Sequence, residues 1–306
     1  MARKRKAVKA KSKRRKPAET AAGLADPFFR WVAPPAALIL LTIVGLTYAR
    51  TYVSRLPKFR VEQPELVLPE NLPDYWRLKL TQEIGRHARV EGRSVLDRTL
   101  SSDLTRQYER SPWVREVAWV RTEFPNRIRA GIRVRYPAAT VVYDIGGTEV
   151  YYVVGDDGVR LPGVYRGTPP RTMNLPAIRG IRKSPPRPGR AWSTEAVAHS
   201  VDILRHLRSS EVIRSSLAIR AIDASNYGGR EAARSEFIVV CDQNCDIEWG
   251  RAPGTQSVGE LPPEEKVAKL EQHIIRGYPI ENRVLNVRFP GRIVVSRKLE
   301  WHGHDG

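Results

Sequence analysis

Ser111-Pro-Trp-Val-Arg-Glu-Val-Ala-Trp-Val-Arg121, the turn Phe124-Pro-Asn-Arg127 and the run Ile128-Arg-Ala-Gly-Ile-Arg-Val134 decide how this 306-residue chain folds. The stretch from Trp113 alternates loosely at the period of a strand, and Pro125 and Asn126 supply turn chemistry. Beyond the turn, Ile128, Ala130, Ile132 and Val134 fall on one face, while Arg127, Arg129, Gly131, Arg133 and Arg135 fall on the other. That division is the mark of a half-buried strand. Upstream, from Phe59, a short strand comes first. A helix capped by Asp74 then carries Trp76, Leu80, Ile84 and Ala88 at i+4 spacing, with Gly92 closing it. A second helix starts at Ser101, Ser102 or Asp103, runs through Tyr108 and is stopped by Pro112. This β-α-α-β-β order packs two helices on a three-stranded sheet, so residues 59–142 are expected to form an α+β domain.

Working back from that domain, the run Trp31 to Ala49 (WVAPPAALILLTIVGLTYA) carries no charge. It is just long enough to cross a bilayer core as one transmembrane helix, which takes roughly 20 residues. Pro34 and Pro35 are expected in its first turn, where a missing N–H costs least. Phe28, Phe29 and Trp31 at one end, with Tyr48 and Tyr52 at the other, suit the two interfaces. Residues 1–30 form a basic tail holding Arg3, Lys4, Arg5, Lys6, Lys9, Lys11, Lys13, Arg14, Arg15, Lys16 and Arg30 against Glu19 and Asp26. Arg50, Arg55, Lys58 and Arg60 on the far side are fewer, so positive-inside bias keeps the tail cytoplasmic and exports the rest. The competing reading is a cleaved signal peptide ending near Thr47-Tyr48-Ala49, against which stand a very long basic region and an overlong apolar run. About half of the net charge of +19 belongs to the tail. A tail of this kind determines topology and attracts anionic lipid, and no specific nucleic-acid binding follows from it.

The two cysteines lie in Phe237-Ile-Val-Val-Cys241-Asp-Gln-Asn-Cys245-Asp-Ile-Glu-Trp249, which reads as a hairpin with a three-residue turn. Cys241 and Cys245 then sit near each other across the strands, either as a disulfide in an oxidising compartment or as free buried thiols. Zinc needs about four ligands and no second pair exists. Beyond Ala191 the chain is again α+β. Ser193 or Thr194 caps a helix with Val197, Val201 and Leu204 inward; strands are expected over 217–222, 236–241 and 246–249. A helix after Pro262 and Pro263 carries Val267, Leu270 and Ile274, and two strands, 283–289 and 292–296, close the chain. The Pro- and Arg-rich segment 166–190 reads as a surface crossing with little regular structure. His199 and His206, seven residues apart on one helix, stand roughly 10 Å from each other, too far to share a metal ion. With no hydrolase, metalloprotease or phosphate-loop motif, no catalytic residue, metal, cofactor or small-molecule substrate is expected.

Taken with Val134-Arg-Tyr-Pro-Ala-Ala, the opening stretch resembles the POTRA signature of the FtsQ/DivIB family of bacterial cell-division proteins. Further stretches are similar to that family's motifs in order: Gly155-Asp-Asp-Gly-Val-Arg-Leu-Pro, Asn174-Leu-Pro-Ala-Ile-Arg-Gly, Ile247-Glu-Trp-Gly-Arg, Glu264-Glu-Lys-Val-Ala-Lys-Leu and Val287-Arg-Phe. Val134 and Val287 stand where the family has carboxylates. The resemblance implies a POTRA domain over 59–142, a second β-rich subdomain with helices over 143–298, and a short tail at 299–306. It also implies a noncatalytic scaffold in the cytoplasmic membrane, its C-terminal domain outside, that binds FtsB/FtsL-like partners and helps organise septal wall synthesis. The partner surface it implies comprises Arg288, Phe289 and the strand Arg292, Ile293, Val294, Val295 and Ser296. A membrane-tethered POTRA protein guiding secreted polypeptides, or a cell-wall enzyme, are the alternative readings.

Overall fold

The computed structural model describes residues 25–298 except 71, 73 and 168–172, and side chains from residue 34 onward other than those at 74 and 75. Most of the basic tail, the residues 299–306 and the interfacial aromatics before Pro34 therefore lie outside the described side chains. Two units divide the chain, Met1–Arg60 and Val61–Gly306.

The described part of the first unit holds helix α1 (Ala25–Arg55) and a short 3-10 turn at Pro57–Phe59. The stretch Pro34–Arg55 of α1 has a mean hydropathy of 1.6 with none of the window buried, long and apolar enough to cross a membrane. The helix starts earlier than the uncharged run suggests, so Pro34 and Pro35 lie inside it and the first-turn proline is Pro27. It also continues past Ala49. Thr42 and Thr51 donate their hydroxyls to the carbonyls of Leu38 and Thr47 at 2.8 Å, which satisfies polar groups on an otherwise apolar helix.

The second unit begins with β1 (Glu65–Val67), α2 (Asp74–Gly85), α3 (Leu100–Tyr108), β2 (Val114–Glu123) and β3 (Arg127–Val134). A three-stranded sheet in the order β1-β3-β2 results, β1 parallel and β2 antiparallel to β3. Leu80 and Ile84 from α2, Leu100, Leu104 and Tyr108 from α3, and Ile128, Ala130, Ile132 and Val134 from β3 share one core with Trp113. The period-two face of β3 is thus the buried one. Helix α2 ends at Gly85, earlier than the apolar spacing suggests, so Ala88 and Gly92 lie in the connection beyond it. Gly92, at φ 73°, shapes a turn there. Helix α3 starts at Leu100, one residue before the expected serines, and its cap residue Thr99 makes no side-chain cap bond.

A nine-stranded mixed sheet follows. Its strands are β4 (Pro137–Ile145), β5 (Thr148–Gly155), β6 (Arg160–Arg166), β7 (Ala177–Arg179), β8 (Ile219–Asp223), β9 (Phe237–Cys241), β10 (Cys245–Gly250), β11 (Arg283–Asn286) and β12 (Val294–Arg297). Their order is β12-β11-β10-β9-β8-β7-β4-β5-β6. Because β4 begins at Pro137, the break between sheets falls at 135–136 and not at 142. The two sheets are joined by shared packing: Val153 of β5 and Leu161 of β6 belong to the core of the smaller one. Helices α4 (Glu195–Ser209), α5 (Glu211–Ser216) and α6 (Pro263–Ile275) complete the unit. Thr194 caps α4 by accepting from Ala196 N, and Val197, Val201 and Leu204 are buried as expected.

The segment 166–190 corrects the sequence reading. It holds β7, which is three residues long yet lies inside the sheet, parallel to both β4 and β8, with Ile178 fully buried. Parallel strands are buried on both faces and carry no alternation to read. On β9 and β10 the alternation is plain: Phe237, Val239 and Cys241 are buried, as are Cys245, Ile247 and Trp249, with Val239 paired to Ile247 and a bulge setting Phe237 opposite Gly250. Cys241 and Cys245 are register partners, and both thiols are buried and free. Their mutual hydrogen bond and burial push the Cys241 thiol well up from its ordinary value. The same bond moves the Cys245 thiol the other way, below its ordinary value, although it too is buried.

Candidate functional site

Strand β12 is the outermost strand of the large sheet, paired on one side to β11 and exposed along its length. Edge strands carry unpaired N–H and C=O groups that an incoming strand can use. The ladder pairs Asn286 with Val294, Leu285 with Val295, Val284 with Ser296 and Arg283 with Arg297. Lys298 N bonds Asn282 O at 3.0 Å. Antiparallel ladders alternate bonded and non-bonded pairs, so the backbone groups of Val295 and Arg297 point away from β11, toward solvent. At the opposite end of the sheet, the start of β6 is already occupied: Arg160 N bonds Arg190 O at 3.0 Å and Gly189 N bonds Arg160 O at 2.7 Å. The outer side of β12 has no such backbone partner among the described residues, while that of β6 is covered at its start.

A groove of about 380 Å³ runs beside this edge, lined by Lys269, His273 and Arg276 of the α6 region, by Tyr278 and Pro279, and by Arg283, Arg292, Ile293 and Val295. Among the described residues no carboxylate borders it, while four Lys or Arg side chains do. Arg283 Nε is buried there without a hydrogen-bond partner among the described residues. Burial holds His273 below its ordinary value against the 3.4 Å contact with Pro279 O, so the imidazole is neutral near neutral pH.

Phe289 is 47% exposed at the lip of this region. It does not fill the core, and Lys269 Nζ holds its carbonyl at 2.6 Å. Arg288 is placed differently from the free anchor expected of it. Its guanidinium donates to Glu248 at 2.9 Å and to Asn286 Oδ1 at 3.2 Å, and lies 5.2 Å from the Phe289 ring centre. The segment is braced from below as well, since Leu261 N bonds Arg288 O at 2.7 Å. Behind it Glu260 and Lys266 form a 2.7 Å ion pair, 3% and 0% exposed at the side chains. Burial alone raises the Glu260 carboxyl, but bonds from Lys266, Arg251 N and Ser257 outweigh it and hold it below the usual range. Gly250, at φ 92°, has no room for a side chain: a Cβ there would stand 2.1 Å from Glu260 Oε1. The strands themselves are shorter than expected, 283–286 and 294–297, because Val287 turns into the core and Arg288–Arg292 form bends. Ile293 packs against the large core, leaving Arg292, Val294, Val295 and Ser296 exposed.

Sequence reasoning missed the basic groove, which gathers residues from 269 to 295, and the Glu260–Lys266 brace, whose partners are six residues apart but whose burial no local pattern marks. His199 and His206 approach Glu195 and Glu264 at 3.6 and 3.8 Å, and no group of three or more metal-ligating side chains occurs among the described residues. Comparison with known proteins finds no family model that matches the chain and no curated protein that matches it.

Proposed function

We propose that this chain is a noncatalytic, single-pass scaffold of the bacterial division machinery, similar to the FtsQ/DivIB family. In this reading the three-stranded sheet with its two helices is a POTRA domain, the basic tail stays in the cytoplasm and the second unit lies outside the membrane. There it captures FtsB/FtsL-like partners by strand addition and thereby helps place septal wall synthesis. The observation that carries the reading is the open edge at β12 beside a groove lined by cations and apolar side chains. Main-chain pairing supplies affinity along such an edge, and flanking pockets supply specificity. The groove's charge favours a partner segment with acidic side chains next to an apolar anchor.

The test is co-purification of the full chain with an FtsB/FtsL-like pair. Arg297→Pro removes an outward N–H while leaving the bonds to β11, and edge strands tolerate such a proline. It is expected to abolish capture, with Arg297→Ala retaining most of it. Undiminished capture by the proline variant would remove β12 as the site.

A further inference from the structure

The segment Arg182-Lys-Ser-Pro-Pro-Arg-Pro-Gly-Arg190 is a rigid basic ridge. Three prolines lie within it, and each also forces the preceding residue out of the helical region, so Ser184 through Pro188 have little freedom to lose. Both of its ends are anchored. Ile181 and Trp192 are buried at its two ends, Trp192 Nε1 donates to Lys183 O at 3.2 Å, and an Arg160 guanidinium N–H donates to Pro186 O. Lys183 and Pro186, whose carbonyls accept these two side-chain bonds, are one turn apart in an extended three-residue-per-turn chain, and the carbonyls of Arg187 and Arg190 accept from Arg190 N and Arg160 N. What remains outward is charge: Arg182, Lys183, Arg187 and Arg190 are all exposed, and none makes an ion pair or side-chain hydrogen bond among the described residues. The acids bordering the cleft beside Arg182 are engaged elsewhere. Glu149 takes the Tyr151 hydroxyl at 2.6 Å and Arg179 at 3.6 Å, and Asp144 accepts from Gly147 N at 2.9 Å.

Exposed cations with no ion pair to a described residue occur elsewhere on this protein, Arg98, Arg110 and Arg230 among them, but they stand singly, and flexible basic loops avoid each other's charge by spreading. Four unpaired cations held on a stiffened backbone are instead arranged for a multivalent anion. Pro185 and Pro186 are half-buried against the body, so the prolines stiffen the ridge and the cations make the contact.

We propose that the ridge binds the anionic phospholipid headgroups of the membrane in which the chain is anchored. This rests on reading α1 as a membrane span. Only residues 56–60 separate α1 from the second unit. A link of that length reaches at most about 18 Å fully extended. The chain of the second unit therefore begins, at Val61, within that reach of the span's end, and basic side chains that come within a Debye length of anionic lipid, roughly 8 Å at physiological salt, are attracted to it.

The full chain is incorporated into nanodiscs of phosphatidylcholine alone or with added phosphatidylglycerol, and acetylation of Lys183 is followed by mass spectrometry with Lys79 as internal reference. Lys183 is expected to react several-fold more slowly in the anionic discs, and high salt or the triple variant Arg182→Gln/Arg187→Gln/Arg190→Gln should restore its rate. Equal rates in both discs, or protection that survives high salt, would overturn the proposal. Equal protection in phosphatidylcholine discs by soluble polyphosphate would assign the ridge to a free polyanion and reject lipid. A chain that neither disc retains would refute the membrane span, and with it this inference.

Discussion

Arg135 Nε donates to Asp157 at 2.6 Å, and both side chains are less than one-fifth exposed. Arg135 follows the last strand of the smaller sheet and Asp157 sits in the turn after β5, so the pair ties one sheet to the other. The same guanidinium donates to the carbonyls of Pro112 and Val114, while neighbouring Asp156 accepts from Arg115 at 3.2 Å. Asp156 and Asp157 read in sequence as a turn before Gly158. They are also the clamp between the two layers of secondary structure.

Asp157→Ala removes the acceptor and strands a mostly buried guanidinium, for which about 2–4 kcal/mol of destabilisation is expected after allowing for residual solvent access. Denaturant unfolding of the full chain in detergent measures it. Asp156→Ala, whose partner is nearly half exposed, is expected to cost under about 1 kcal/mol.

Trp113 is 3% exposed and its ring centre lies 5.8 Å from that of Trp76. Trp113→Ala should therefore cost about 3–5 kcal/mol, as large aromatic truncations in cores do. A variant with unchanged melting would contradict the core assignment.

Cys241 and Cys245 should resist alkylation in the native protein and both react once it is unfolded, with or without reductant. Reaction of the unfolded chain only after reduction would reveal a disulfide instead. A Cys241→Ser/Cys245→Ser variant places hydroxyls in the same apolar core and is expected to fold with a loss of about 1–3 kcal/mol.

Phe289 and Arg288 separate binding from folding. Phe289→Ala removes an exposed ring and should leave stability within about 0.5 kcal/mol while weakening capture of an FtsB/FtsL-like partner. Arg288→Ala breaks a partly buried bond to Glu248 and should lower stability first. Normal capture by Phe289→Ala would exclude the ring from the interface.

The proposed orientation rests on the charge before Trp31. A reporter active only outside the cytoplasm should work when fused after Gly306 and be silent when fused before Phe28. The reverse pattern would reject the proposed topology.

The regular elements were legible where local physics sets them. Strand β3 announced its buried face through Ile128, Ala130, Ile132 and Val134, and α4 announced its start through Thr194. The hairpin of β9 and β10 was legible from its alternation and polar turn. What was hidden depends on residues far apart in the chain. Arg288 looks like an exposed anchor until Glu248, on β10, is seen beside it. The groove next to β12 brings together side chains from α6, the loop after it and the final strand. Gly131 gave no hint that the Trp119 indole lies across it, close enough to exclude any side chain. The β12 edge was expected from its place at the end of the chain, but its openness relative to β6 came only from the bonds that Gly189 and Arg190 make.

Strand β7 has a consequence for the order in which the molecule assembles. Among the described strands its three residues are the ladder that links β4-β5-β6 to β8 through β12, and Ile178 meets Val141 on one side and Ile222 on the other. Each neighbour is reached through a long intervening segment, whose closure entropy must be met before the short ladder repays it. The hairpins on either side close locally and have no such delay. The ladder at Ala177–Arg179 is thus expected to form after the hairpins on either side of it.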